Sequence, residues 1–210
     1  MSFKRLFFFL LAVLILWMAR ACSGPVPVED TGLYPADSIR YMRDCNQGER
    51  HLSSYDWIVK RYAKRRGIDW RLVSAIIWHE SRYDPEAYSS MGAMGLMQVM
   101  KVTAENYGMD PESMLEPDAN IDVGTHLFGD LLRQFRREGM DNEEAMRFAL
   151  GAYNIGIGAM ASRREETAEA KRDPDKWEDV ALTLDTYNPA IAGYVEAVIH
   201  TYRRYCTLVP

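Results

Sequence analysis

Apolar residues recur with a helical period along most of the chain after about residue 53. Two segments show this period most clearly, each with four apolar residues on one face: Leu72, Val73, Ile76 and Ile77 in the first, and Val123, Leu127, Leu131 and Phe135 in the second. Spacings of three and four residues are typical of amphipathic helices. No alternating strand of useful length accompanies them, so the pattern predicts an all-α fold with, at most, a minor β-hairpin.

Capping residues, glycine and proline divide this pattern into separate helices. Asp69 can cap the second helix, and Asp84-Pro85 prevents its extension, because the residue before proline disfavours the α region. Asp141, with Glu144 three residues later, resembles a capping box. The predicted helices cover about 53–66, 69–80, 101–107, 118 or 120 through 135, 141–152, 155–170 and 189–205.

The first 21 residues have the features of an export signal. Lys4 and Arg5 form a basic start, an unbroken apolar run of 13 residues follows, and residues 19–21 match a small-x-small cleavage pattern. The apolar run is short for a membrane span, which needs roughly 20 residues. Cys22 then predicts a lipoprotein acylated on its new N-terminal cysteine, with simple secretion or an uncut anchor as the alternatives.

The chain that follows this signal is acidic. The formal net charge is −5, and removing the three basic residues of the signal leaves −8 for the remainder. Nucleic acid is therefore excluded as a substrate, since binding phosphates needs a basic surface. Residues 22–45, rich in proline and in small or acidic residues, predict a lipid-anchored or flexible tether, and residues 46–210 predict one globular domain.

Two of the three cysteines remain for a disulfide if Cys22 carries lipid. Cys45 precedes the globular part and Cys206 lies near its end. In an exported protein, an even pair of cysteines favours a bridge, which here would close a long loop. Two unpaired thiols are the alternative.

The candidate chemistry centres on Glu80, a lone glutamate at the end of an apolar helix. Burial among apolar residues raises the pKa of a carboxyl group and makes it a general acid near neutral pH. Four residues are expected to supply this desolvation: Ile76, Ile77, Leu96 and Met97. Gly92 and Gly95 follow closely and let backbone approach a ligand.

Metal and nucleotide chemistry find little support in the sequence. His79-Glu80 begins like a zinc-protease helix, but Tyr83 stands where the second histidine is needed. The four histidines show no ligand spacing, and the glycines at 156 and 158 follow no strand. We therefore expect neither a metal nor another cofactor.

Three motifs in order resemble the soluble-lytic-transglycosylase (SLT) domain family. They are Glu80-Ser81, then Gly92-x-x-Gly95-Leu96-Met97-Gln98, then Ala152-Tyr153-Asn154-x-Gly156. The similarity covers roughly residues 53–204, and single-domain, membrane-attached murein transglycosylases are among the members that the chain resembles. The resemblance implies a lysozyme-like helical fold and peptidoglycan glycan strands as the partner. From this resemblance together with the export signal and Cys22, we expect a monomer in the bacterial cell envelope or periplasm, attached to the membrane through the lipid anchor.

The same resemblance implies roles for individual residues. Glu80 is the expected catalytic acid and base, and Ser89 orients the N-acetyl group of the reacting sugar. Gln98 and Met100 line the saccharide groove. The remaining implied contacts lie beneath the carboxyl group and come from Tyr153, Asn154 and Tyr194. His79 and Met94 depart from the family pattern, the former at a position where glutamine is frequent.

One carboxyl group is enough if the substrate supplies its own nucleophile. The resemblance implies that Glu80 protonates the glycosidic oxygen and then deprotonates the 6-hydroxyl of N-acetylmuramic acid, which closes a 1,6-anhydro ring. A paired-carboxylate mechanism would need Asp84 or Glu86, which flank a proline turn and are expected to be exposed. The alternatives are a muramidase on the same fold and an inactive peptidoglycan-binding lipoprotein.

Overall fold

The computed structural model describes residues 51–209. Within this range the chain forms eight α-helices, one 3₁₀ helix and one two-stranded sheet, which confirms the predicted all-α class with a minor hairpin. The elements are α1 (Asp56–Arg66), α2 (Trp70–Ser81), β1 (Ala93–Met94), β2 (Val99–Met100), α3 (Lys101–Asn106), the 3₁₀ helix (Pro111–Leu115), α4 (Pro117–Arg137), α5 (Asn142–Ile155), α6 (Ile157–Glu169), α7 (Trp177–Tyr187) and α8 (Pro189–Leu208).

Most helix ends follow the capping signals of the sequence. Gly67 ends α1 with a left-handed φ of 68°, and the Asp69 carboxylate caps α2 by accepting a hydrogen bond from the Arg71 backbone N–H. Pro189 occupies the first turn of α8 as predicted. Helix α2 ends at Ser81, so the chain leaves it before the Asp84-Pro85 turn is reached.

Helix α7, like the short 3₁₀ helix, was not predicted from the sequence pattern. It has 11 residues, and its buried side chains are Trp177, Val180 and Leu184. Its start is stabilised from another helix: the Glu144 carboxylate of α5 accepts a hydrogen bond of 2.8 Å from the Trp177 backbone N–H. The predicted capping box at Asp141 is therefore only partly formed. The Asp141 side chain caps α5, but the Glu144 carboxylate accepts a hydrogen bond from the start of α7 instead.

The hairpin and the helices around it place the last turn of α2 inside the domain. Strands β1 and β2 pair antiparallel, with Met94 opposite Val99. Helix α2 packs against α1 and α8, and α4 packs against α1 and α5. An aromatic row joins α4, α5 and α7, with centroid distances of 5.5 Å from Phe135 to Phe148 and 5.6 Å from Phe148 to Trp177.

Some expectations concern residues outside the described range. These are the export signal at 1–21, lipidation of Cys22, the tether at 22–45 and the pairing of Cys45. The proposed partner Cys206 lies on α8 and is partly buried. Among residues 51–209, no helix combines the length and apolar character that crossing a bilayer requires.

Candidate active site

The carboxyl group of Glu80 lies in the last turn of α2 and is mostly buried. The four apolar residues expected to desolvate it are fully buried: Ile76, Ile77, Leu96 and Met97. Burial raises the pKa of Glu80 to about 7, because the carboxylate loses hydration. Near neutral pH the group therefore exists in both its acid and its carboxylate forms, as a proton donor that later acts as a base requires.

Tyr194 of α8 contacts this carboxyl group directly. Its hydroxyl donates a hydrogen bond of 2.5 Å to Oε1 of Glu80. This bond stabilises the carboxylate and lowers the pKa of Glu80, but burial has the larger effect. Burial and the neighbouring carboxylate raise the pKa of Tyr194 well above its usual range, so the phenol keeps its proton and remains a donor.

Tyr153 of α5 lies near the same carboxyl group but does not hydrogen bond to it in this structure. Burial, and after it the charge of Glu80, raise the pKa of Tyr153 well above its usual range. Its hydroxyl donates a hydrogen bond of 2.7 Å to the Met97 carbonyl oxygen. The expected contact with Glu80 is thus replaced by a contact with the neighbouring loop, because the Met97 carbonyl needs a donor in this buried place.

Residues 92–98, here called the site loop, are held by polar side chains from the helices around them. From α2, the Ser81 hydroxyl donates a hydrogen bond of 2.8 Å to the Leu96 carbonyl. From α5, Tyr153 binds the next carbonyl along, that of Met97. Helices α2 and α5 therefore fix adjacent peptide groups of the loop, close to Glu80.

Asn120 of α4 holds the same loop and was not recognised from the sequence as a site residue. It is fully buried, and its Oδ1 accepts a hydrogen bond of 2.7 Å from the Met97 backbone N–H. Its Nδ2 donates to the carbonyls of Met94 at 2.8 Å and Met114 at 2.7 Å. The only available signal was a polar residue within an apolar helix face, which does not reveal its partners.

Gly95 is required where the loop passes Asn120. Its φ is 71°, and a Cβ at this position would lie 2.3 Å from the Met114 carbonyl oxygen and 2.5 Å from Asn120 Nδ2. No side chain fits in that space. The glycine of the family motif therefore permits a close backbone approach to α4.

The predicted groove residues lie in and around the hairpin. Gln98 has a φ of 48°, and its Nε2 donates to the carbonyls of Ala87 at 3.2 Å and Gly95 at 3.0 Å, so it stabilises the loop from within. The Ser89 hydroxyl accepts a hydrogen bond of 3.0 Å from the Ala93 backbone N–H. Met100 is exposed at the end of β2.

The remaining polar candidates are exposed. Asn154 lies on the surface near the end of α5. Asp84 and Glu86 are also exposed, as expected, and neither contributes to the pKa shift of Glu80. Among residues 51–209, no group of three or more His, Cys, Asp or Glu side chains is arranged to bind a metal ion.

The backbone that leaves Glu80 adopts a sparsely populated conformation. Arg82 and Tyr83 have φ values of 57° and 62°, in the left-handed region that residues other than glycine rarely adopt. The Tyr83 hydroxyl donates a hydrogen bond of 3.1 Å to the Ser74 carbonyl, which ties the turn back onto α2. Strain of this kind is concentrated at functional sites.

A helical domain with a buried glutamate beside a small hairpin matches a known family. A family model described as "Transglycosylase SLT domain" matches residues 58–176. The chain therefore belongs to the SLT domain family, as the sequence motifs indicated.

Relatives with the same kind of domain are membrane-bound lytic murein transglycosylases. Membrane-bound lytic murein transglycosylase F of Salmonella arizonae is 36% identical over 133 residues, which cover 63% of this chain and 25% of that protein. The protein of the same name from Histophilus somni is 32% identical over 165 residues, covering 74% and 34%. The chain thus spans about a quarter to a third of the length of these relatives.

Solved structures of lytic transglycosylases share the fold. The 70-kDa soluble lytic transglycosylase from Escherichia coli matches with a TM-score of 0.57 and 26% identity, over 75% of this chain and 25% of that one. An inactive glutamate-to-glutamine mutant of lytic transglycosylase Slt from Pseudomonas aeruginosa matches with a TM-score of 0.56 and 26% identity, over 71% of this chain and 23% of that one. The domain is therefore a lysozyme-like SLT fold.

Proposed function

We propose that the protein is a lytic transglycosylase that cleaves the β-1,4 bond between N-acetylmuramic acid and N-acetylglucosamine in peptidoglycan. The observation that carries this proposal is the buried carboxyl group of Glu80, whose pKa is raised to about 7. The names of the relatives support the reaction class. The inactive glutamate-to-glutamine mutant of Slt from Pseudomonas aeruginosa supports an essential glutamate in this family.

In the proposed mechanism, protonated Glu80 donates its proton to the glycosidic oxygen as the bond to the muramic anomeric carbon breaks. The acetamido oxygen of the same sugar stabilises the oxocarbenium-like centre. The Glu80 carboxylate then removes the proton from the 6-hydroxyl, whose oxygen attacks the anomeric carbon and closes the 1,6-anhydro ring. Tyr194 stabilises the carboxylate between the two steps by its hydrogen bond of 2.5 Å.

The same proposal gives supporting roles to residues of the groove. Ser89 orients the N-acetyl group, and Met100 lines the saccharide groove, which accords with its exposure. Asn154 keeps its proposed role as a substrate-binding residue next to Tyr153, although its side chain is exposed. Gln98 shapes the groove through its bonds within the loop. Asp84 and Glu86 are exposed, and neither contributes to the pKa shift of Glu80, which favours an internal nucleophile over a hydrolytic pair formed with either of them.

The proposed place of action is the cell envelope, with the protein as a monomer attached through lipid on Cys22. The location and the lipid anchor are inferred from the export signal, the small-x-small pattern and the cysteine that follows. Metabolic labelling with a tagged fatty acid should mark the full chain but not its Cys22→Ser variant. Labelling of both would place the lipid elsewhere or exclude this form of anchoring.

Digestion of purified peptidoglycan sacculi, followed by mass spectrometry of the products, tests the proposed reaction. The natural protein should release products with 1,6-anhydro ends, Glu80→Gln should lose at least 10³-fold in rate, and the exposed control Glu86→Gln should stay within about twofold. Products with reducing ends would show a muramidase instead. Full activity of Glu80→Gln would refute the assignment of the acid.

A further inference from the structure

His79, the residue before the proposed acid, joins the last turn of α2 to α8. Its Nε2 lies 2.8 Å from the Thr201 hydroxyl oxygen. Its ring meets the Tyr194 ring edge to face, with 6.3 Å between centroids and an angle of 82° between the planes. Tyr194 and Thr201 are seven residues apart on α8, which is about two helical turns, so they share the face that α2 contacts.

Tyr194 therefore contacts two consecutive residues of α2, His79 and Glu80. Its ring packs against His79, while its hydroxyl donates to Glu80 at 2.5 Å. Hydrogen bonds weaken steeply when distance or angle departs from the optimum. The strength of the bond to Glu80 thus depends on where the Tyr194 ring is held, and His79 bounds one side of that ring.

The charge state of His79 suits this position. Burial and the nearby Arg82 lower the pKa of His79, and a hydrogen bond with the Ala197 backbone opposes them only in part. The imidazole is therefore neutral near neutral pH. A cation beside Glu80 would favour the carboxylate and lower its pKa, whereas a neutral ring leaves the acid form available.

We propose that His79, held by Thr201, is a positioning residue that keeps the Tyr194 hydroxyl on Glu80 and so sets the protonation equilibrium of that carboxyl group. The catalytic consequence rests on the proposed function. The effect on the titration of Glu80 does not rest on that function, because it can be measured without substrate.

The proposal is tested by variants that remove the contact of His79 with Thr201 or with Tyr194 and replace the side chain by one of similar size. Thr201→Val deletes the hydroxyl that His79 contacts, and His79→Leu deletes the ring. Thr207→Val, at an exposed position of the same helix, is the matched control. His79→Gln keeps an uncharged amide that can donate a hydrogen bond to the Thr201 hydroxyl or accept one from it, and is the conservative rescue variant.

Titration of Glu80 in the free protein, followed by carbon NMR on labelled glutamate, is the first measurement. Weakening the Tyr194 bond destabilises the carboxylate, so Thr201→Val and His79→Leu should raise the titration midpoint by about one pH unit, and the double variant should raise it no further. His79→Gln and the Thr207→Val control should stay near the natural value. Tyr194→Phe, which lacks the donor itself, sets the largest shift to be expected.

The pH dependence of glycan cleavage is the second measurement. The basic limb should move up with the Glu80 midpoint, and kcat at the optimum should fall about tenfold with KM nearly unchanged. If Thr201→Val and His79→Leu titrate like Thr207→Val, the proposal is wrong, even if their thermal stability falls. Failure of the proposed function shows separately, as activity that survives Glu80→Gln.

Discussion

Replacing Glu80 by glutamine should stabilise the folded protein, and the gain should grow with pH. The pKa of Glu80 is about 7 in the folded state against an ordinary value of 4.5. The folded protein therefore binds this proton more tightly than the unfolded chain does. Below about pH 4.5 both states are protonated and the carboxyl group costs nothing, but as pH rises toward 7 the unfolded state ionises first and folding is penalised.

The size of this penalty follows from the two pKa values. At about 1.4 kcal/mol per pH unit, their separation corresponds to about 3 kcal/mol above pH 7. Glutamine has nearly the same shape and cannot ionise, and its side-chain oxygen can still accept the hydrogen bond from Tyr194. The Glu80→Gln variant should thus escape the penalty without losing the contact.

Urea unfolding at pH 4.5 and pH 8 measures the difference. The free energy of unfolding of Glu80→Gln should match that of the natural protein within a few tenths of a kcal/mol at the lower pH and exceed it by about 3 kcal/mol at the higher. Glu86→Gln, at an exposed position, should show no such gain. A gain independent of pH, or one that shrinks as pH rises, would mean that burial does not disfavour the Glu80 carboxylate.

Two further predictions concern the site loop and the chain ends. Gly95→Ala should destabilise the protein by about 3 kcal/mol more than Gly108→Ala. The backbone strain is similar at the two positions, where φ is 71° and 72°, but only a Cβ at position 95 would collide, 2.3 Å from the Met114 carbonyl oxygen. Equal midpoints of urea unfolding for the two variants would contradict this. We expect Cys45 and Cys206 to form a disulfide, so neither should react with an alkylating reagent when the protein is unfolded without a reductant. Alkylation of both cysteines would exclude the bridge.

The parts of the site that were predictable from sequence have local causes. The helical period around Ile76 and Ile77 brings Glu80 to the end of an apolar helix, and the paired glycines mark the tight hairpin that follows. The raised pKa of Glu80 follows from the same stretch of chain, because the apolar neighbours of Glu80 desolvate its carboxyl group. These features need no knowledge of distant contacts.

The contacts that escaped prediction join residues far apart in sequence. Asn120 reaches the Met97 backbone across 23 positions, and Tyr153 reaches it across 56. A polar residue in a helix does not show which peptide group it will bind, so the sequence did not indicate that the Tyr153 hydroxyl donates to the Met97 carbonyl. Helix α7 was missed for a similar reason, because its first N–H is satisfied by Glu144 of another helix.

The anchoring of residues 92–98 has a consequence for how such a protein is made. Ser81, Asn120 and Tyr153 come from three separate helices, so the loop gains its native shape only once those helices have come together. Contacts between residues far apart in sequence form late, because closing the long loop between them lowers the chain entropy before the contacts can stabilise the structure. Residues 92–98 therefore reach their native shape beside Glu80 only after α2, α4 and α5 have packed together, so the site is completed late in folding.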